Sequence, residues 1–318
     1  MNISGEKMLC HIKRVAGDFR PITADIFLTN FCNNHCPYCT YRRWKLDNGA
    51  RAMGFNDFVK YANRLRDFGV LGFILTGGGE PTLCPDFMKI TKWLESEKIH
   101  YGINTNFNNI MYFKPDYLKV SLDGYDEESY ERARGIRRYE LVKRNIEDYA
   151  AWRRVYSPNT SLGIQWVASS VDEVFKFYNA NQCLDVDYIS FRPFESTNGK
   201  YYSTEEKRAQ AREISAAIEQ LASNDERVIR NFKWDLLDRQ ENDCTANWAQ
   251  IAINEVGEVM YCCHKPYQII GHVMDDDILQ KKEKARTNMT MCDIPCRMTA
   301  PNMFASKVKE KRKDEYFI

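Results

Sequence analysis

Six apolar runs of strand length alternate with helical patterns over residues 24–192. The runs are ADIFLT (24–29), VLGFILT (70–76), HYGINT (100–105), YLKVSL (117–122), SLGIQWV (161–167) and DYISFR (187–192). Helical spacing of apolar residues reads over Phe55–Phe68, Asp86–Glu97, Glu140–Val155 and Val171–Asn181. In the first of these, Phe55, Phe58, Val59, Ala62 and Leu65 share one face. Such alternation argues for a parallel sheet covered by helices, either doubly wound or curled into a partial barrel. In both geometries the chemistry collects at the carboxyl ends of the strands.

The unusual residues fall at those ends. Three cysteines, in CNNHCPYC (Cys32–Cys39), follow the first run, and GGGEP (Gly77–Pro81) follows the second. NTN (Asn104–Asn106) closes the third run, and SLDG (Ser121–Gly124) closes the fourth. Three thiols spaced by three and then two residues cannot all pair as disulfides, and they are one short of a closed tetrahedral zinc site. They suit an iron–sulfur cluster with one iron left open, or a zinc site completed by His35 or a distant residue. A glycine-rich turn lets backbone approach a ligand closely, and the glutamate after it accepts hydrogen bonds from an ammonium. By itself GGGEP also reads as an ordinary tight turn.

Together the two motifs resemble the radical S-adenosylmethionine (SAM) superfamily. CNNHCPYC matches its C-x3-C-x2-C signature, with the aromatic Tyr38 before the third cysteine, and GGGEP matches its GGE motif. The resemblance covers roughly residues 24–195 and implies a partial (β/α)6 barrel. It implies that Cys32, Cys36 and Cys39 hold a [4Fe–4S] cluster whose fourth iron is chelated by the methionine end of SAM. Gly78, Gly79 and Glu80 would take the SAM amino group, Tyr38 the adenine, and Ser121 with Asp123 the ribose. Asn104, Asn106 and Arg192 would face the same cavity. For Ser121 and Asp123 the alternative is a polar turn before Gly124. The implied chemistry is one-electron cleavage of SAM to a 5′-deoxyadenosyl radical, which removes a hydrogen atom from carbon.

A second cysteine region follows a polar helical segment, Thr204 to about Ser223. WAQIAI and EVMYCC around NEVG read as a β-hairpin turning at Gly257. Cys244, this hairpin with Cys262, and the later pair Cys292 and Cys296 resemble the twitch module, a shortened SPASM extension. The resemblance implies a second [4Fe–4S] cluster on those four thiolates, with Cys263 as a substitute for Cys262. A structural zinc in the same set is the alternative. The expected division is a preamble (1–23), the barrel (24–235), the cluster module (236–300) and a charged tail (301–318). Cys10, Cys84 and Cys183 read as ordinary thiols, and His264 and His272 as surface or pocket residues flanking the second region.

Composition narrows the setting. The longest apolar runs are strand-sized, and MNISGEKMLCHIKR lacks the apolar core of a secretory signal, so a cytoplasmic location is expected. In a reducing compartment eleven cysteines are metal ligands or packed thiols rather than disulfides. With 45 Lys+Arg against 44 Asp+Glu, any pull on nucleic acid must come from a local patch. YRRW beside the cysteine loop, RARGIRR (132–138) and KVKEKRK (307–313) are the candidates, set against pairing of these arginines with Glu127, Glu128, Glu131 and Glu140. The expected function is hydrogen abstraction from an amino-acid, sugar or nucleoside type of substrate, with oxidation or rearrangement, the oxidative outcome preferred. A reductant such as flavodoxin or ferredoxin is the expected partner. The alternatives are modification of a base or nucleotide in DNA and a non-catalytic iron–sulfur electron carrier.

Overall fold

A computed structural model describes residues 7–41, 49–194, 202–237, 244, 246–287 and 296–309. One ten-stranded sheet runs through it. Its order is β10-β9-β8-β1-β2-β3-β4-β5-β6-β7. The first six strands are β1 (Thr23–Phe27), β2 (Gly72–Thr76), β3 (His100–Thr105), β4 (Tyr117–Ser121), β5 (Ser161–Val167) and β6 (Tyr188–Arg192), each parallel to the next. The helices on their outer face are α2 (Phe55–Asp67), α3 (Phe87–Ser96), α4 (Glu127–Arg134), α5 (Tyr139–Tyr156), α6 (Val171–Asn181) and α7 (Glu205–Ala222). A short α1 (Ile12–Ala16) precedes β1.

The period-two pattern of the strands explains both the core and the cavity. Leu75, Ile103, Val120, Ile164, Ile189 and Phe191 are fully buried in the main apolar core with the helices. The alternate positions point to the other face and carry Asp25, Asn104, Lys119, Ser121, Gln165 and Arg192. In register, Asn104 stands beside Lys119, Ser121 beside Gln165, and Val167 beside Arg192. The sheet therefore has an apolar outside and a polar inside.

Gly102 shows how tightly that inside is filled. A Cβ there would lie 1.9 Å from the Tyr117 ring, which crosses the glycine from the neighbouring strand.

The strands of the second cysteine region join the same sheet. β8 (Gln250–Ile253) pairs in parallel with β1, and β9 (Glu258–Met260) and β10 (Ile269–His272) continue antiparallel from it. The expected hairpin is present, with its turn at Gly257, and it extends the sheet. β7 (Val228–Arg230) and β10 carry no clear strand pattern and were not expected; a paired neighbour holds each. The preamble and the tail also meet. Met8 and Val15 pack with Trp248 and with Ala305 of α9 (Thr299–Lys309) in a small second core. Between them in sequence, α8 (Ile278–Thr287) follows β10. Among the described residues no helix is long and apolar enough to cross a membrane.

Gly102→Ala is expected to lower stability by about 1–3 kcal/mol through overpacking, read as an earlier urea midpoint at unchanged slope. Adding Tyr117→Val should recover part of the loss, because the clashing ring is then gone.

Candidate active site

The strand ends open into one cavity of about 450 Å³. Cys32, Cys36 and Cys39 line it, as do Tyr38, Gly79, Glu80, Asn104, Ser121 and Arg192. Gly78 and Asp123 do not belong to that lining.

The cysteine loop is held from three sides. Asparagines from the turn after β3 take one side: Asn106 Nδ2 donates to Asn33 Oδ1 at 2.7 Å, and Asn108 Nδ2 donates to Asn34 Oδ1 at 2.6 Å. The end of α4 takes the second, where the His35 N–H donates to the Arg134 carbonyl at 2.9 Å. The GGGEP turn takes the third, with the Glu80 N–H donating to the Phe31 carbonyl at 2.7 Å. Gly79 permits that last contact, since a Cβ there would sit 1.9 Å from the Phe31 oxygen. Its lack of a side chain thus serves the approach of two protein loops.

Glu80 is buried, and its carboxylate accepts four hydrogen bonds. Oε1 receives Thr82 N–H (3.2 Å), Thr82 Oγ1 (2.8 Å) and Thr105 Oγ1 (2.6 Å), and Oε2 receives Asn106 N–H (2.7 Å). Burial raises its pKa and these donors oppose the rise. Glu80 thereby ties the glycine turn to the end of β3, with Oε2 keeping capacity for a further donor.

Behind the loop lies a hub that sequence reasoning did not identify. Arg134 is buried; its guanidinium donates to Cys36 Sγ at 3.5 Å and to the Ser121 carbonyl at 2.8 Å, and it pairs with Asp123. Asp123 also accepts from the Tyr38 hydroxyl (2.8 Å) and the Val167 N–H (2.8 Å), from a left-handed backbone at φ 36°. Burial alone would lower the Arg134 pKa, but Asp123 and Tyr38 hold it well above its ordinary value. Burial, with Asp123 next, pushes the Tyr38 phenol up. Asp123 therefore acts from behind the cavity wall, setting Tyr38 and Arg134. The neighbouring arginines of RARGIRR face outward in ion pairs, Arg132 with Glu128 at 3.0 Å and Arg137 with Glu131 at 3.0 Å. Arg42, Arg43 and Trp44 lie outside the described residues.

Donors also reach the sulfur of Cys32, from Asn34 N–H (3.5 Å) and Asn106 Nδ2 (3.8 Å). Among the described residues no three Cys, His, Asp or Glu side chains form a set for a single metal ion. A cluster makes a looser demand, because each thiolate binds a different iron. Three thiols along one wall, with N–H donors aimed at two of the sulfurs, fit that demand.

In the second region Cys244 contacts Asn302, with Asn302 Nδ2 3.5 Å from its sulfur. Burial, with the Cys263 thiol next, raises the Cys262 pKa; burial, opposed by Lys233, pushes Cys296 up to about 12. Lys282 is buried facing these thiols, brought down to about 8 by burial against the pull of Cys262 and Cys244. Cys292 lies outside the described residues. Cys263 and His264 line the main cavity, whereas His272 packs edge-on against Tyr61. Cys10 and Cys183 are exposed, and Cys84 is buried with its thiol donating to the Met53 carbonyl.

Residues 26–152 match the family described as the Radical SAM superfamily. That stretch holds both the cysteine loop and the GGGEP turn. Mycofactocin maturase MftC of Mycobacterium ulcerans is 27% identical over 143 residues, 41% of this chain and 37% of that protein. A probable GTP 3′,8-cyclase of Thermococcus kodakarensis is 32% identical over 139 residues, 41% of this chain and 44% of that protein. The chain thus spans well under half the length of these curated relatives. Among solved structures, Streptococcus suis SuiB bound to precursor peptide SuiA superposes with TM-score 0.64 at 17% identity, over 87% of this chain and 68% of that one. Native anSMEcpe with bound AdoMet gives 0.60 at 17% identity, over 83% of each chain. At such identity these two speak for the fold alone, a parallel α/β sheet of the radical SAM type with antiparallel strands and a helix after it.

Arg134→Gln is expected to strand Asp123 as a buried charge and cost about 3–5 kcal/mol. The double variant with Asp123→Asn should cost less than the sum of the single changes, as measured by denaturation of the three proteins.

Proposed function

We propose that this protein is a radical SAM enzyme that cleaves SAM reductively and removes a hydrogen atom from a carbon of an amino-acid, sugar or nucleoside type of substrate. The observation that carries this reading is the convergence of the three-thiol loop, the GGGEP turn and a ring of polar strand-end residues on one cavity. Cys32, Cys36 and Cys39 would hold a [4Fe–4S] cluster. Gly79 and Glu80 would face the amino group of SAM, Tyr38 its adenine, and Asn104, Ser121 and Arg192 the remaining polar groups. When bound to such a cluster and given one electron, SAM supplies a 5′-deoxyadenosyl radical.

The chain's own part is positioning. Arg134 and Asn106 hold N–H groups on the cluster-loop sulfurs, and Asp123 fixes the Tyr38 hydroxyl. The apolar outer layer of the sheet keeps bulk water from all but the open mouth. Cys244, Cys262, Cys292 and Cys296 would hold a second [4Fe–4S] cluster, and a small one-electron carrier of the flavodoxin or ferredoxin class would reduce the enzyme. The ion pairs of Arg132 and Arg137 give the reading of a DNA substrate no support.

Anaerobically reconstituted protein given SAM and dithionite should form 5′-deoxyadenosine. Cys32→Ala, Cys36→Ala and Cys39→Ala should each abolish this while the far-ultraviolet circular dichroism stays unchanged, since the loop lies outside the apolar core. Retained 5′-deoxyadenosine formation in any of them would sink the assignment, and an electron carrier would bind iron without forming it.

Iron content tests the second site. The reconstituted protein should carry about eight irons and the triple variant about four, from the stoichiometry of two cubane clusters. One tightly bound zinc in place of those four irons would make the second site structural.

A further inference from the structure

The wall of the cavity formed by β1 and the hairpin is not used by the cofactor reading. Asp25, in the middle of β1, is 1% exposed and belongs to the cavity lining. Its Oδ2 accepts from Arg297 and from Gln250 Nε2. Among the described residues, its Oδ1 is buried without a hydrogen-bond partner. A buried carboxylate oxygen left without a donor is costly, and a ligand that brings one removes the cost. Arg297 already offsets the charge of Asp25, so the missing donor is a neutral group, a hydroxyl or an amide N–H, rather than a second cation.

The same guanidinium reaches a thiol. Arg297 Nη2 lies 3.8 Å from Cys263 Sγ, and the Cys263 carbonyl accepts from the Tyr41 hydroxyl. Cys263 lines the cavity together with Cys32, Cys36 and Cys39, whereas Cys262 is not among its lining residues. The adjacent cysteines are therefore sorted. One is available to a second cluster, and the other faces the space where substrate and SAM meet.

We propose that Cys263 is not a cluster ligand but the hydrogen-atom donor that quenches the substrate radical, making the overall conversion of the substrate redox-neutral. This rests on the function proposed above and departs from the oxidative outcome expected from the sequence. The substrate seats a hydroxyl or amide N–H on Asp25 Oδ1. After its carbon has lost a hydrogen atom to the 5′ carbon of SAM, that carbon takes one from Cys263. A C–H bond forms, the weaker S–H bond breaks, and a thiyl radical remains. One electron from a carrier of the flavodoxin or ferredoxin class and one proton from solvent restore the thiol. Each turnover then uses one SAM and two electrons, and the product is an isomer of the substrate carrying a solvent-derived hydrogen.

Two measurements test this without the natural substrate. The first reads metal and thiol. Reconstituted Cys263→Ala should keep the iron content of the parent protein, while Cys262→Ala loses about four irons, one cubane's worth. In the loaded parent protein iodoacetamide should label Cys263 and spare Cys262. Loss of iron from Cys263→Ala, or labelling of Cys262 with Cys263 spared, would overturn the proposal.

The second reads hydrogen. In D2O with SAM and dithionite alone, abortive cleavage should draw deuterium from the exchanged thiol into 5′-deoxyadenosine. Cys263→Ala should still cleave SAM and lose most of that deuterium. Absence of deuterium in the parent's product, or undiminished deuterium in the variant's, would overturn the role of Cys263 while leaving SAM cleavage intact. If neither protein forms 5′-deoxyadenosine, the function proposed above fails, and the iron and labelling results still decide which cysteine is the ligand.

Discussion

The ion pair between Arg134 and Asp123 is the joint on which the site depends. It links the end of β4, the last turn of α4 and the cysteine loop, and through the Tyr38 hydroxyl and the Val167 N–H it extends to the aromatic face of the cavity and to β5. Both partners are almost wholly buried, so the pair is sustained by its further hydrogen bonds to Cys36 and the Ser121 carbonyl rather than by charge alone. Such a joint fixes geometry more than it adds stability. The proposed cluster, in which each of the three thiols would meet a separate iron, would need that fixity.

Around this joint the site is assembled from short-range contacts between strand-end loops. The asparagines of the cysteine loop and of the turn after β3 interlock, and Glu80 binds the glycine turn to the same β3 end with four donors. Three loops that would each be mobile alone are thereby cross-braced. The residues left facing the cavity are free to be polar, because the apolar demand of the fold is met on the other side of every strand.

Much of this was legible in the sequence, and the parts that were not share a physical cause. The parallel strands follow from local period and turn chemistry: β3 and β5 occupy the expected residues, and β1, β2, β4 and β6 differ by one or two at their ends. The motifs at strand ends follow from topology. Arg134 did not stand out, because its partner sulfur on Cys36 is 98 residues away and its basic neighbours made it read as part of a charged surface. The attachment of the hairpin to β1 was likewise hidden, since the contact of Gln250 with Asp25 spans 225 residues and leaves no local period. Gly79 was read through its ligand when a neighbouring carbonyl is what first requires it. The signal for Asp25 was there: a lone carboxylate in an apolar strand needs a partner.

The proposed chemistry requires that SAM meet a cluster held by Cys32, Cys36 and Cys39. Low-temperature electron paramagnetic resonance of the dithionite-reduced protein, recorded with and without SAM, measures that contact directly. The spectrum of one reduced [4Fe–4S] centre should change on adding SAM, and the signal left in the variant lacking all three cysteines should not. A parent spectrum indifferent to SAM, or a SAM-dependent change that survives loss of the three thiols, would contradict it.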